Sequence, residues 1–205
     1  MSNTSTAVMA QRSNPKDDLD YFPTPPWATR ALAEYVLDKV WIRGQYCLEP
    51  ACGAGHMAKP LKEYFSHVRS TDIKDYGYGD GVLNFLTEPC AGADWVITNP
   101  PFKHAESFIH RGLDVAWSGV AVLVRTSFLE SIGRHARLFS LRPPTTIAIF
   151  SERVPMVKER LNKDASSATS YSWLVWDFSR VSGCAPHFRW IPPCRKQLER
   201  DSDYD

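Results

Sequence analysis

Leu48-Glu49-Pro50-Ala51-Cys52-Gly53-Ala54-Gly55 is the stretch on which the fold of this chain turns. Residues 46–49 just before the glycines read as a short strand, and residues 57–65 beyond them as a helix. Two glycines between a strand and a helix let backbone N–H groups approach a ligand at the helix N-terminus, so Gly53 and Gly55 are candidate binding residues. Asp72 follows Gly53 by 19 residues, within a predicted second strand over 68–73. That matches the roughly 20-residue distance at which a nucleotide-binding α/β unit delivers an acid to ribose hydroxyls. Glu49 narrows the ligand further. A carboxylate at the mouth of the site repels a pyrophosphate and attracts an ammonium or a sulfonium, which favours S-adenosylmethionine over NAD.

Outward from this loop the chain alternates short apolar runs with longer helical segments. Strands are predicted at 46–49, 68–73, 82–86, 95–98, 120–124, 145–150 and 171–178, the third of them weak. Helices are predicted from Pro25 or Pro26 through Val40, with Thr24 as cap, and over 57–65, 105–117 and 127–139. Such alternation predicts an α/β domain over residues 19–193, built on a mostly parallel seven-stranded sheet with helices on both faces. Residues 1–18 lack apolar periodicity and are expected to form a loose arm, and residues 194–205 a solvated tail. The polar, basic stretch 151–170 is a long loop, and a loop of that length in a compact domain is more often functional than idle.

Composition removes several classes. With 24 Lys+Arg against 23 Asp+Glu, any phosphate-binding surface has to be local. Five cysteines, an odd number with no CxxC pair, argue for reduced thiols and against a disulfide framework or a zinc site, so no metal is expected. No run approaches the ~18 apolar residues of a membrane span, and residues 1–16 lack the apolar core of a secretory signal. The expected location is cytoplasmic, with no membrane partner.

The second informative stretch is Asn99-Pro100-Pro101-Phe102, directly after the predicted strand 95–98. Two prolines in succession fix their own φ and push the preceding residue toward extended geometry, so the Asn99 amide is held rigidly at the carboxyl end of a strand. That edge is where open α/β sheets bind ligands. A planar exocyclic amine such as adenine N6 is a poor nucleophile because its lone pair is delocalised into the ring. Two acceptors gripping its hydrogens, the Asn99 side-chain oxygen and the Pro100 carbonyl, favour the pyramidal form that attacks a methyl group, and Phe102 offers a face on which the base stacks. Pro89-Cys90 and Pro193-Cys194, which echo the nucleophile of cytosine-C5 enzymes, follow no buried strand next to the glycine loop and read as incidental.

On these residues the chain resembles the class I S-adenosylmethionine-dependent methyltransferases, and among them the amino-methyltransferases that modify adenine N6 in DNA. Residues 49–55 look like their cofactor loop, Asp72 and the adjoining Ile73 like their ribose site, and Asn99-Pro100-Pro101-Phe102 like their catalytic turn. Phe22-Pro23-Thr24-Pro25-Pro26 is similar to the segment that helps hold the methionine part of the cofactor. The resemblance implies a Rossmann-like fold. It also implies that Thr24 bonds the methionine carboxylate, that Tyr21 or Phe22 lines its pocket, and that Glu49, Ala51, Gly53 and Gly55 surround it. Either Asp80 or Asn84 would meet the cofactor adenine, with Phe85 against its ring. The order of the motifs looks like the gamma arrangement, also seen in small phage and prophage enzymes. Lys103, Arg153, Lys158, Arg160 and Lys163 are the expected phosphate contacts to DNA. Rival readings are the same chemistry on an RNA base or a protein glutamine amide, and a non-catalytic cofactor-binding or DNA-binding subunit.

Overall fold

The computed structural model describes residues 20–180 and 185–204. The arm expected at residues 1–18 lies outside them, as does Cys184. The first helix, α1 (Pro26–Tyr35), carries Pro at its first position and is capped by no side chain. It stops short of Val40, because Asp38 accepts the N–H groups of Val40 and Trp41 and starts a separate short helix, α2 (Lys39–Ile42). Then come β1 (Tyr46–Glu49), α3 (Ala58–Leu61), β2 (His67–Asp72), β3 (Gly81–Val82) and β4 (Ala93–Thr98). α3 is shorter than the predicted 57–65, since Glu63 and Tyr64 donate to Pro60 and Leu61 three residues back and tighten the last turn. β3 is shorter than the predicted 82–86, because the Asn84 side chain and carbonyl accept the N–H groups of residues 86–88 and wind the chain into a turn.

Beyond these lie α4 (Ala105–Val115), β5 (Ala116–Arg125), α5 (Ile132–Arg134), β6 (Thr146–Phe150), β7 (Tyr171–Asp177), β8 (His187–Ile191) and α6 (Arg195–Leu198). The single helix predicted over 127–139 is two helical stretches, 126–129 and 132–139, broken where Ser131 adopts extended backbone and its side chain accepts the Arg134 N–H.

The strands form one sheet in the order β3-β2-β1-β4-β5-β7-β6-β8. Among the described residues it has eight strands, where seven were predicted. The eighth, β8, runs parallel to β6 at the edge with most of its residues exposed, and His187, Phe188, Arg189 and Trp190 alternate polar with aromatic, the period-2 pattern of a strand. β1 is parallel to β2 and β4, and β4 to β5, whereas β7 runs antiparallel to β5 and β6. Strand alternation divides the core between the two faces. Trp95, Ile97, Ala121, Leu123 and Trp173 face α1 and α3. Val96, Val120, Val122 and Leu174 face α4 with Ile109 and Leu113. The doubly wound α/β fold implied by the glycine loop is therefore present. Among the described residues no helix is long and apolar enough to cross a membrane.

Residues 194–204 are not a solvated tail. Cys194 is buried, Leu198 packs against the core, and the chain folds back over α1. The anchor is Arg30, whose buried guanidinium donates to both Glu63 oxygens, to the Leu198 carbonyl at 2.8 Å, and to both Asp203 oxygens at 2.7 and 2.8 Å. Burial works against the charged form of Arg30, but the hydrogen bonds that it donates to Asp203 and Glu63 outweigh it and hold its pKa above the ordinary value. Charge composition alone made this segment look solvated; an ion pair with a residue far away in sequence anchors it, although Lys196, Gln197 and residues 200–202 stay exposed.

The chain passes from β1 to β2 and β3 on one side and then adds β4 and β5 on the other, so strand order reverses between β1 and β4. In open α/β sheets the crevice at the carboxyl ends of such a pair is where ligands bind.

Candidate active site

At that reversal point the structure encloses a cavity of about 510 Å³. Glu49 at the end of β1, Asp72 at the end of β2 and Asn99 just past β4 all open onto it, so the glycine-loop region and the proline turn share one chamber. Ala51, Ile73, Asn84, Phe85, Pro101 and Lys103 also line it. Of the alternatives Asp80 and Asn84, Asn84 lines the cavity; Asp80 does not, and accepts the Ser70 N–H at 2.7 Å instead. Phe85 is buried against Phe108, ring centroids 5.3 Å apart.

Residues 20–24 cross this edge as a strap and tie the two motifs together. The Tyr21 hydroxyl accepts the Ala54 N–H of the glycine loop at 3.2 Å. Asp20 accepts the Phe102 N–H at 3.1 Å. The Asn99 side-chain nitrogen donates to the Phe22 carbonyl at 2.9 Å and to the Thr24 hydroxyl at 3.1 Å. Both donors of that amide being directed to the strap, its orientation is set, and Asn99 Oδ1 is buried with no hydrogen-bond partner. Thr24 is thus not a helix cap; it accepts from Asn99 and keeps its own O–H to donate. Met156, from the long loop 151–170, brings its sulfur to 3.8 Å from the same Asn99 nitrogen.

The glycines act differently from their predicted role. Neither Gly53 nor Gly55 lines the cavity. The loop amides are spent inside the protein: Gly53 N–H on Asp72 at 2.9 Å, Ala54 N–H on Tyr21, and Gly55 N–H on the Cys52 carbonyl at 2.8 Å. What the missing side chains admit is two aromatic rings. A Cβ on Gly53 would stand 2.3 Å from the Tyr21 ring and one on Gly55 2.5 Å from the Tyr78 ring, and both glycines have positive φ.

The electrostatics of the chamber are set by two carboxylates. Glu49 is 2% exposed, and its Oε2 is buried without a partner. Burial first, and the nearby Asp72 charge second, push its pKa well above the ordinary carboxylate range. Burial also raises Asp72, against the pull of the Gly53 and Lys74 N–H groups that it accepts. The Cys52 thiol is pushed up to about 12 by burial and then by Glu49 and Asp72, so it is no nucleophile near neutral pH. His56 is lowered by burial, and its Nδ1 lies 3.3 Å from the Tyr21 hydroxyl.

The remaining candidates fall away from the chamber. Pro100 is buried and Phe102 half-buried, and neither lines the cavity. Phe102 does not offer an open face. The Arg125 guanidinium lies over its ring at 4.0 Å from the centroid, and Phe22 packs on it at 5.1 Å. Arg153 bonds Ser170, Lys158 lies 4.0 Å from Glu159, and Arg160 is exposed. Lys163 pairs with Asp201 at 2.8 Å over the Tyr204 ring, which turns it toward the C-terminal segment and away from the chamber. Asp20 and Tyr76, which line the cavity, carried no motif signal, and only proximity in space brings them to the site.

No family model and no curated relative matches the chain. Solved structures do. A Pyrococcus horikoshii protein described as an RNA methyltransferase aligns over 80% of this chain and 90% of its own, at 18% identity and TM-score 0.60. A Listeria monocytogenes protein described as a class I S-adenosylmethionine-dependent methyltransferase aligns over 82% of this chain and 65% of its own, at 15% identity and TM-score 0.57. A Vibrio vulnificus protein described as a modification subunit of a type I restriction enzyme aligns over 89% of this chain, at 17% identity and TM-score 0.56, and this chain spans half its length. At these identities what is shared is the fold, a Rossmann-like methyltransferase fold.

Proposed function

We propose that this chain is an S-adenosylmethionine-dependent methyltransferase acting on the exocyclic N6 amine of adenine in DNA. The observation that carries the proposal is Asn99 Oδ1: a buried acceptor with no partner, on an amide whose nitrogen is tethered twice, in the same chamber as the orphaned Glu49 carboxylate. The chamber fits the cofactor. A buried carboxylate oxygen without a donor is costly, and a cationic ligand against it removes that cost. Glu49 would face the charged methionine end, Thr24 would donate to its carboxylate, Asp72 would take ribose hydroxyls, and Asn84 and Phe85 would hold the adenine. The cofactor supplies a methyl group activated on a sulfonium.

The chain's own contribution is to the acceptor amine. Asn99 Oδ1 accepts one amine hydrogen, which draws the nitrogen toward its pyramidal form and frees its lone pair. The strap prevents the amide from turning its NH2 inward, where it would repel the same hydrogens. Lys103 lines the chamber, which supports a phosphate contact there. Tritiated cofactor offered with DNA, RNA and protein tests the proposal. Label in DNA, on N6 of adenine after digestion, is the expected result; label confined to RNA or protein overturns the substrate, and no label in any of them overturns the enzyme. RNA is a necessary arm, because the Pyrococcus structure is described as acting on RNA and the Vibrio structure as part of a restriction enzyme.

Glu49→Gln separates cofactor binding from folding. The folded pKa of Glu49 is raised, so above the ordinary carboxylate range the folded chain keeps a proton that the unfolded chain has released. Stability therefore falls as pH climbs from that range toward the folded value. Glutamine has no such dependence and is expected to melt higher than wild type at neutral pH. It should nevertheless bind cofactor more weakly by about one to two orders of magnitude, the worth of a hydrogen bond to a charged group. Melting curves across pH and calorimetry check the two signs, and a variant that binds cofactor like wild type refutes the carboxylate's role.

A further inference from the structure

We propose that Asp20 is the second acceptor for the target amine, its carboxylate and the Asn99 oxygen each holding one amine hydrogen; this rests on the reading that the chain methylates an exocyclic amine, and not on which molecule carries it. An amine with two hydrogens needs two acceptors to be held pyramidal, and from sequence the second place falls to the Pro100 carbonyl. Pro100, however, is buried and does not line the chamber. Among the described residues three carboxylates do: Asp20, Glu49 and Asp72. Glu49 and Asp72 end β1 and β2 and serve the cofactor under the same reading. Asp20 is bonded to the proline turn itself, its Oδ2 accepting the Phe102 N–H at 3.1 Å. No described residue donates to its Oδ1, which leaves an acceptor unspent on a residue of the chamber wall.

The strap brings the two acceptors together. It presents Asp20 to the turn and, two and four residues on, the Phe22 carbonyl and the Thr24 hydroxyl that hold the Asn99 nitrogen. A carboxylate also offers more than a backbone carbonyl. Hydrogen bonds to a carboxylate are roughly twice as strong as neutral ones. This one strengthens as positive charge grows on the nitrogen, so it favours the transition state over the bound substrate. The amine lone pair forms the new N–C bond, and the C–S bond breaks with its electron pair passing to sulfur. A proton then leaves the methylated nitrogen for Asp20 Oδ1 and passes on to water, so that a neutral methylamine and a neutral thioether remain.

Initial rates of transfer from tritiated cofactor, measured on the substrate that wild type labels, test the proposal with two substitutions. Asp20→Asn keeps an oxygen for the Phe102 N–H but offers the amine an NH2 group; Asp20→Ala removes both oxygens. In either variant kcat should fall by about 10²–10³-fold, the cost of one preorganised polar group at the reacting atom. KM for the substrate and cofactor affinity by calorimetry should stay near wild type. A residue that only tethers the turn predicts otherwise, because Asp20→Asn would then keep its turnover. Melting curves confirm that both variants are folded. Wild-type kcat in Asp20→Asn overturns the second acceptor, and so does a loss confined to KM or to cofactor affinity. A wild type that labels no substrate overturns the enzymatic reading and Asp20's part with it, whereas an active wild type beside an equally active Asp20→Asn overturns Asp20 alone.

Discussion

Asn99→Ala is expected to lower methyl transfer by about 10²–10³-fold, the cost of deleting one preorganised polar group that acts on the reacting atom, while cofactor affinity measured by calorimetry stays near wild type. The expectation comes from the way this amide is held. Both donors of the side-chain nitrogen are taken up by Phe22 and Thr24, and the oxygen has no partner of its own. Alanine deletes the acceptor but leaves the proline pair and the wall of the chamber in place. Asn99→Asp sharpens the test: it keeps an acceptor but gives up the donors, so the strap loses its two bonds and the carboxylate is free to turn. Turnover in Asn99→Asp should therefore fall as well. Wild-type turnover in Asn99→Ala would show that the acceptor does not act on the amine.

Arg30→Ala should destabilise the protein by about 3–5 kcal/mol, the penalty for stranding buried charge when one member of an ion pair is removed, which is a large share of the ~5–15 kcal/mol that holds a domain folded. The loss leaves Asp203, whose side chain is 5% exposed, without its bidentate partner, and leaves the Leu198 carbonyl without a donor. Urea unfolding gives the magnitude, and limited proteolysis near Leu198 reports whether the C-terminal segment has come away. Replacing both partners, Arg30→Met with Asp203→Leu, should recover part of the stability, since apolar groups of similar volume strand no charge. A single variant within about 0.5 kcal/mol of wild type, the range of ordinary surface substitutions, contradicts the anchor.

The parts of the fold that were legible in the sequence are those set by local chemistry. The strand before the glycines, the acid at the end of the second strand, the proline turn and the apolar runs of β5 and β7 are each written in contiguous residues, and each lies within a few residues of its predicted place. Two of the errors share one cause: Thr24 looked like a cap until Asn99 was brought beside it, and residues 194–204 looked solvated until Arg30 was. β8 is a different case, since its polar-aromatic alternation is written in the contiguous residues 187–190. The glycines were found for the wrong reason: they are required by the rings of Tyr21 and Tyr78, which come from outside the loop.

By itself, then, the sequence determined a doubly wound α/β sheet with an acid-lined ligand site and a rigid amide turn, because periodicity, glycine placement and consecutive prolines act over a few residues at a time. Only the tertiary structure decided that the turn and the acids open onto one cavity, that the strap aims the Asn99 oxygen, and that Arg125 covers Phe102. Those facts depend on which strand ends lie side by side. Strand order is a property of the whole chain's packing, and no window of residues contains it.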